Sequence, residues 1–159
     1  MVVAGLCLAL AQGSGIAGKP LLGLVSDTVL GGRRKPMLLL VSCIATIGCL
    51  GFAFMPEGAG FWLLLPLCGV VGFSLFGWAG VGYTLVAEIG GRIAGGTIVG
   101  FSLVILMLFS IFAPPFLGSI VDKTGSYFPF WLILAGAAAV SVILALFIRE
   151  NYKPAEVGK

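Results

Sequence analysis

Five long apolar stretches dominate this sequence and leave few choices of fold. Runs such as WLLLPLCGVVGF and FSLVILMLFSIF contain no charged residue, and about 20 apolar residues in a helix cross a hydrocarbon core of roughly 30 Å. Hydrophobic residues make up 60% of the chain and charged residues only 9%, whereas roughly a quarter of an ordinary soluble domain is charged. The sequence therefore predicts an integral membrane protein in contact with the lipid bilayer.

The same stretches favour helices over strands. They are apolar on all sides and lack the alternation of a barrel strand, and a helix satisfies its own backbone hydrogen bonds where no water is present. We predict an all-α, polytopic transmembrane helix bundle with five spans, short connections and a polar cytoplasmic tail at 149–159. The predicted spans cover residues 2–25, 37–55, 61–86, 97–121 and 128–148.

The positive residues cluster beside the spans and predict the topology. Segments 26–36 and 87–96 and the tail at 149–159 hold seven of the nine lysines and arginines. The other two are Lys19, within the first span, and Lys123, in the connection after the fourth. The positive-inside rule places these segments in the cytoplasm. We therefore expect a multi-pass protein of the cell (inner) membrane with its N-terminus outside and its C-terminus inside, and no nucleic-acid partner.

Two similar octets end the first and the fourth span. PLLGLVSD covers residues 20–27 and PFLGSIVD covers residues 115–122, and the two share four identical positions. Because the spans are three helices apart, they cross the membrane in opposite directions. Inverted repeats of this kind are common in transporters, which place the substrate site between the repeats. A chance match in so biased a composition is the alternative.

Small residues predict close helix contacts in two spans. Ala9, Gly13 and Ala17 are four residues apart in the first span, and the third span carries five glycines together with Pro66. Small side chains let membrane helices approach closely. We expect these faces to pack inside the bundle.

The segment GLVSDTVLGGRRKP resembles the cytoplasmic loop signature of the major facilitator superfamily, through Gly23, Asp27, Gly32, Arg33 and Arg34. AEIGGRIAGGTIVGFS and PPFLGSIVDKTGSY resemble the tenth and eleventh helices of that family. The resemblance implies helices eight to twelve of a twelve-helix secondary carrier for a small solute, with the N-terminal half of the transporter as a missing partner. A repeat of three helices also leaves one helix lacking before the first span.

The loop residues Gly23, Asp27, Arg33 and Arg34 are our candidates for a conformational latch. A carboxylate beside guanidinium groups keeps its charge and makes charge-assisted hydrogen bonds, which would break when the transporter changes state. The alternative is that the basic residues only set topology and contact lipid headgroups. For Arg34 and Lys35 the sequence favours this alternative.

Six residues within the spans are candidates for a substrate pathway. Lys19 lies on the same stripe of the helix as Asp27 and roughly 12 Å deeper in the membrane. A charge kept inside a span is costly and often functional, and Lys19 would attract an organic anion. Snorkelling of Lys19 to the interface is equally compatible. Helix contacts or core packing are the alternatives for the others. The candidates are Gln12, Ser14, Lys19, Phe73, Trp78 and Tyr83.

The sequence predicts neither a metal site nor a cofactor. Histidine is absent, no cysteines form a C-x-x-C pair, and Glu88 and Arg92 are interpreted as a structural i,i+4 pair. An integral-membrane enzyme would need a second acid or a nucleophile with a base near Asp27, and none is present. A structural or regulatory membrane subunit is the closer alternative to a transporter.

Overall fold

The computed structural model describes residues 2–56 and 60–148, without the side chain of Arg92, so the predicted tail at 149–159 lies outside the described residues. Within this part the chain forms five helices and no strand, and each helix is long and apolar enough to cross a membrane. This confirms the predicted all-α transmembrane fold. The helices are α1 (Val2–Thr28), α2 (Arg34–Ala53), α3 (Phe61–Gly91), α4 (Ile93–Thr124) and α5 (Phe128–Phe147).

Helices α1 and α3 pack directly against each other with their backbones in contact. A methyl group placed on Gly69 would lie 3.1 Å from Cδ2 of Leu10, and one placed on Gly80 would lie 2.9 Å from the carbonyl oxygen of Lys19. The two residue numbers increase together along the interface, so the helices run in the same direction. Glycine is therefore required on α3 by the distance between the helices.

The face of α1 that makes this contact is not the predicted one. Ala9, Gly13 and Ala17 are all exposed, whereas Gly15 and Gly18 are buried against α3. Both sets have small side chains, and the spacing alone does not select between two faces of one helix. The glycines of α3 determine which face of α1 makes the contact, because they pack against the face that carries Gly15 and Gly18.

A second contact group joins α2 to α3 and α5. Met37 and Val41 of α2 are buried with Leu22 and Val81 in one hydrophobic cluster. Toward the other end of α2, Phe52 stacks on Trp131 of α5, with the ring centroids 4.3 Å apart. Helix α2 thus packs against both the α1–α3 pair and α5.

The chain reverses sharply at Gly91, where φ is 64° and ψ is −168°. A Cβ atom at Gly95 would lie 2.8 Å from the carbonyl oxygen of Ala87, although eight residues of straight helix would span about 12 Å. The left-handed φ angle is accessible to glycine without steric cost. The predicted connection at 87–96 is therefore mostly helical, with α3 ending and α4 starting closer to Gly91 than the hydropathy indicated.

Helix α4 makes little contact with the rest of the described chain. No residue between 96 and 124 is buried, and the large side chains exposed along this helix include Phe101, Phe109, Phe112 and Phe116. In a membrane, such a surface faces lipid or another helix.

Candidate functional site

Arg34, the first residue of α2, connects the ends of three helices. Its Nη1 atom lies 2.6 Å from Oδ1 of Asp27 at the end of α1, and its Nη2 atom lies 3.2 Å from Oε1 of Glu88 near the end of α3. Its Nε atom also donates to Oε1 of Glu88 at 3.3 Å. The Arg34 side chain is 12% exposed, whereas the two carboxylates are 56% and 53% exposed. We call Asp27, Arg34 and Glu88 the three-helix ion cluster.

The turn between α1 and α2 positions Arg34 through a buried serine. Ser26 is fully buried, and its hydroxyl donates to the carbonyl oxygen of Arg33 at 3.1 Å. Its own carbonyl accepts from the Gly32 N–H at 2.9 Å. Gly31 and Gly32 both have positive φ, of 59° and 82°, which glycine adopts readily. The glycine pair therefore gives a tight turn that returns Arg34 to Asp27.

Lys35 connects the start of α2 to the end of α5. Its Nζ atom donates to the carbonyl oxygens of Leu146 at 2.6 Å and Ile148 at 2.9 Å. The last carbonyls of a helix have no partner within the helix and form the negative end of its dipole. A cation there stabilises the helix end, so Lys35 has a definite structural role in addition to any effect on topology.

The structure brings together some of the predicted latch residues. Asp27 and Arg34 form an ion pair, although the sequence favoured a purely topological role for Arg34. Arg33 is exposed and contributes its backbone to the Ser26 contact. Gly23 is partly exposed, and a methyl group there would meet no atom within 4 Å. Gly23 is therefore not required for packing within the described chain.

Glu88 is the member of the cluster that the sequence interpretation missed. Its spacing to Arg92 indicated a local pair within one helix, but its carboxylate contacts Arg34, 54 positions away. The only signal was indirect: the predicted topology placed both Glu88 and Arg34 on the same side of the membrane. No local pattern could show that α2 lies beside the end of α3.

The polar pathway candidates of α1 differ in their surroundings. Gln12 and Lys19 are exposed, whereas Ser14 is partly buried and donates to the carbonyl oxygen of Ala11 at 3.0 Å. Gln12, Lys19 and Asp27 lie on one side of α1, beside the face that packs on α3. They form a polar strip on a helix surface that the described chain leaves open.

The three aromatic candidates of α3 have different neighbours. Phe73 packs against Gly18 of α1, and Trp78 and Tyr83 lie with their ring centroids 6.0 Å apart. Phe73 and Trp78 also border the hydrophobic cluster. Trp78 in addition lines a cavity of about 420 Å³ between α2, α3 and α5. The three aromatic side chains thus do not form one cavity wall with the polar strip of α1.

No group of three or more cysteine, aspartate or glutamate side chains in the described part of the chain is arranged to hold a metal ion. The chemistry available at the ion cluster is charge pairing between helix ends. On the open surface of α1, the groups available to a ligand are the Lys19 ammonium and the Gln12 amide, which lie at different depths.

The chain is similar over most of its length to transport proteins of Chlamydia. It is 30% identical over 145 residues to a protein of Chlamydia trachomatis named "probable hexose phosphate transport protein", and equally so to one of that name in Chlamydia pneumoniae. A third, from Chlamydia muridarum, is 28% identical over 155 residues. No family model and no solved structure matches the chain.

These matches cover 91% to 98% of this chain but only 32% to 33% of the relatives. The chain therefore spans about a third of the length of the curated relatives it matches. Similarity to transport proteins and five apolar helices agree in indicating a multi-pass membrane protein related to transporters.

Proposed function

We propose that the chain forms helices eight to twelve of a major-facilitator carrier that moves an organic anion, with a hexose phosphate as the leading substrate. The similarity to transport proteins supports membrane transport, and the loop signature at 23–34 supports the family. The remaining helices of the carrier would supply the other side of the pathway. Because the similar proteins are transporters, we propose no enzymatic activity.

The three-helix ion cluster is the observation that carries this proposal. Arg34 joins the ends of α1, α2 and α3, and we propose that these helix ends lie where the two bundles of the carrier separate. Exposed ion pairs contribute only about 0 to 1 kcal/mol each. An interaction of that size can hold one conformation and still break during a transport cycle. We propose Gly23, Asp27, Arg33 and Arg34 as the latch, with Glu88 added.

The open strip of α1 supports an anionic substrate. Lys19 is exposed, lies past the midpoint of α1 and is the one charged residue between positions 2 and 25. A phosphate monoester would form charge-assisted hydrogen bonds with it. We propose that Lys19 attracts the phosphate, with Gln12 and Ser14 near the sugar. Phe73 and Trp78 pack between helices, and of the three aromatic candidates only Tyr83 remains in our proposed pathway.

For orientation we propose an inner-membrane protein with the α1–α2 turn and the end of α5 in the cytoplasm. The positive residues Arg33, Arg34 and Lys35 support this placement. The ion cluster would then act at the cytoplasmic side and stabilise the state that is open to the outside.

A chimera tests the function. We would replace the matched 145-residue segment of the C. trachomatis relative by this chain, reconstitute the purified chimera in liposomes and measure uptake of labelled glucose 6-phosphate. Saturable uptake is expected from the chimera and not from this chain reconstituted alone. A chimera that inserts and folds without any uptake, while the unaltered relative transports, would contradict the proposal.

Two substitutions in the chimera separate the roles. Lys19→Gln should raise the KM for glucose 6-phosphate with little effect on uptake of an uncharged hexose, because it removes attraction for the phosphate. Arg34→Gln should lower the maximal rate and leave the KM nearly unchanged, because it acts on the conformational change. Lys123→Gln, at an exposed position at the other end of the bundle, is the matched control for loss of a positive charge.

A further inference from the structure

Two cysteines face each other across the contact between α1 and α3. Cys7 lies near the start of α1 and Cys68 near the start of α3, and their side chains are hydrogen-bonded to each other. Both are free thiols and both are partly buried. They belong neither to the proposed pathway nor to the three-helix ion cluster.

The register of the two helices explains why these thiols meet. A methyl group on Gly72 would touch the backbone of Ala11, and one on Gly80 would touch the carbonyl oxygen of Lys19. In both pairs the residue numbers differ by 61. About one helical turn closer to the helix starts, four residues before Ala11 and Gly72, the same difference pairs the two cysteines. The thiol contact is therefore the next step of a regular interface.

A disulfide between two helices requires unusually close backbones. Its two Cα atoms lie about 4.4 to 6.8 Å apart, whereas the axes of packed helices are commonly about 8 to 10 Å apart. The glycine at position 72 lets the backbones of α1 and α3 touch one turn away from the thiols. Cys43 and Cys49 form a useful contrast, because both lie on α2 and the helical rise between them is about 9 Å, too far for a disulfide.

Both thiols lie close to a boundary of the hydrocarbon core. Helix α1 has 27 residues and α3 has 31, so the helices are about 40 and 46 Å long and extend beyond a core of roughly 30 Å. Cys7 lies about 8 Å from the start of its helix and Cys68 about 10 Å. With each helix centred on the core, both residues are about 2 to 3 Å inside its boundary. Hydrogen peroxide, which is small and uncharged, reaches this level from water.

We propose that Cys7 and Cys68 are a site of reversible oxidation, at which hydrogen peroxide converts the two thiols to a disulfide that links α1 to α3. One sulfur attacks the peroxide and breaks its O–O bond, which gives a sulfenic acid and one water molecule. The other sulfur then attacks the sulfenic sulfur, forms the S–S bond and releases a second water molecule. The peroxide accepts two electrons, and the two thiol protons leave in the water. A dithiol reductant reverses the reaction by thiol–disulfide exchange.

This disulfide would hold the end of the helix pair that the ion cluster does not reach. Asp27 and Glu88 lie near the other ends of α1 and α3 and are joined only through Arg34. Those contacts are partly exposed ion pairs, which are weak in water. A covalent bond near the helix starts would keep α1 beside α3 when the ion pairs break.

Counting free thiols tests the proposal. The purified full chain with Cys43→Ala and Cys49→Ala would be treated in detergent with hydrogen peroxide, denatured in SDS, labelled with N-ethylmaleimide and weighed by mass spectrometry. We expect loss of both labels at a rate independent of protein concentration, a mass two hydrogens below that of the unlabelled reduced chain, and recovery of both labels after dithiothreitol. Retention of both labels, a label loss that dithiothreitol does not reverse, or a reducible dimer would overturn the proposal.

The reverse variant tests whether the reaction is selective. A chain with Cys7→Ala and Cys68→Ala keeps the two cysteines of α2 and should retain both labels under the conditions that close the α1–α3 pair. The same loss of labels from this chain would mean that peroxide oxidises any thiol of the protein, and would contradict a specific site.

A shift of one position tests the register. Cys68→Ala and Leu67→Cys would be added to the two α2 substitutions, so that the thiol of α3 moves by one residue. Leu67 is turned toward α2, because a methyl group on Gly51 would lie 3.4 Å from its Cδ1 atom. This variant should therefore form no disulfide with Cys7. Closure as fast as in the native pair would show that the thiols meet through helix motion, and would overturn the site that the register defines.

Discussion

The two octets have almost the same pattern and very different surroundings. In the first octet, at the end of α1, Leu22 and Ser26 are buried and Asp27 is paired with Arg34. In the second, at the end of α4, no residue is buried, and no ion pair of Asp122 is found within the described residues. The difference shows that the octet specifies how a helix ends and not what it packs against.

The helix ends themselves are alike. Thr28 comes directly after the first octet and donates to the carbonyl oxygen of Leu24 at 2.7 Å. Thr124 comes two residues after Asp122 and donates to the carbonyl oxygen of Ile120 at 2.8 Å. A glycine with positive φ follows in both cases, three residues after Thr28 at Gly31 and directly after Thr124 at Gly125. Local chemistry is therefore repeated, while the buried contacts depend on neighbours that only α1 has within this chain.

The largest expected difference between the two octets is the side of the membrane on which they end. In a background with the four cysteines changed to alanine, Val29→Cys should react with a membrane-impermeant maleimide only after spheroplasts are lysed. Tyr127→Cys should react in intact spheroplasts, because α1 and α4 cross in opposite directions. Both positions are exposed. The same labelling pattern for both would refute the inverted repeat.

The packed and unpacked helices should also differ in their tolerance of a methyl group. Gly72→Ala places a Cβ atom against the backbone of Ala11, and we expect a loss of about 1 to 3 kcal/mol in the free energy of unfolding. Gly100→Ala in α4 meets no atom within 4 Å and should be neutral. SDS titration measures the free energy of unfolding of both variants. Equal losses for the two would show that α1 and α3 do not pack as described.

Hydropathy was sufficient to predict the fold class and the number of spans, because the cost of exposing polar backbone in a membrane leaves helices as the solution. The contact face of α1 was not predictable in the same way. Ala9, Gly13 and Ala17 have the same spacing as a true contact face, and only the positions of the glycines on α3 distinguish the two.

The candidate site was predictable only in part, because the sequence indicates contacts between neighbouring residues but not contacts between distant helices. Asp27 and Arg34 are close in sequence, and their pairing follows from one short turn. Glu88 contacts Arg34 through the arrangement of α2 beside α3, and the sequence carries no local sign of it. The cavity beside Trp78 depends on three helices at once and was not foreseen.

A smaller effect is expected from the buried serine that distinguishes the octets. Ser26→Ala removes the hydrogen bond to the Arg33 carbonyl, and a buried bond of this kind contributes about 1 kcal/mol to stability. Ser119→Ala, in the second octet, removes an exposed bond to the carbonyl of Phe116 and should change the free energy of unfolding by less than about 0.5 kcal/mol. Equal losses for the two serines would mean that the first turn is no more ordered than the second.

The smallest expected difference in stability concerns the two aspartates, and it is also the sharpest test of the latch. Asp27→Asn leaves the acceptor oxygen beside Arg34 but removes the charge, so the ion pair becomes a neutral hydrogen bond. Because the Asp27 side chain is 56% exposed, we expect a loss of only about 0.5 kcal/mol in SDS unfolding, and none for Asp122→Asn. High salt should reduce the difference, since exposed charges are screened. If Asp27→Asn nevertheless slows uptake by the chimera several-fold, and Asp122→Asn does not, the first aspartate acts on the conformational change and not on folding. Equal uptake by the two variants would reduce the Asp27–Arg34 pair to a helix-end contact. Arg34 would then act through Glu88, the other carboxylate with which it pairs in the described part of the chain.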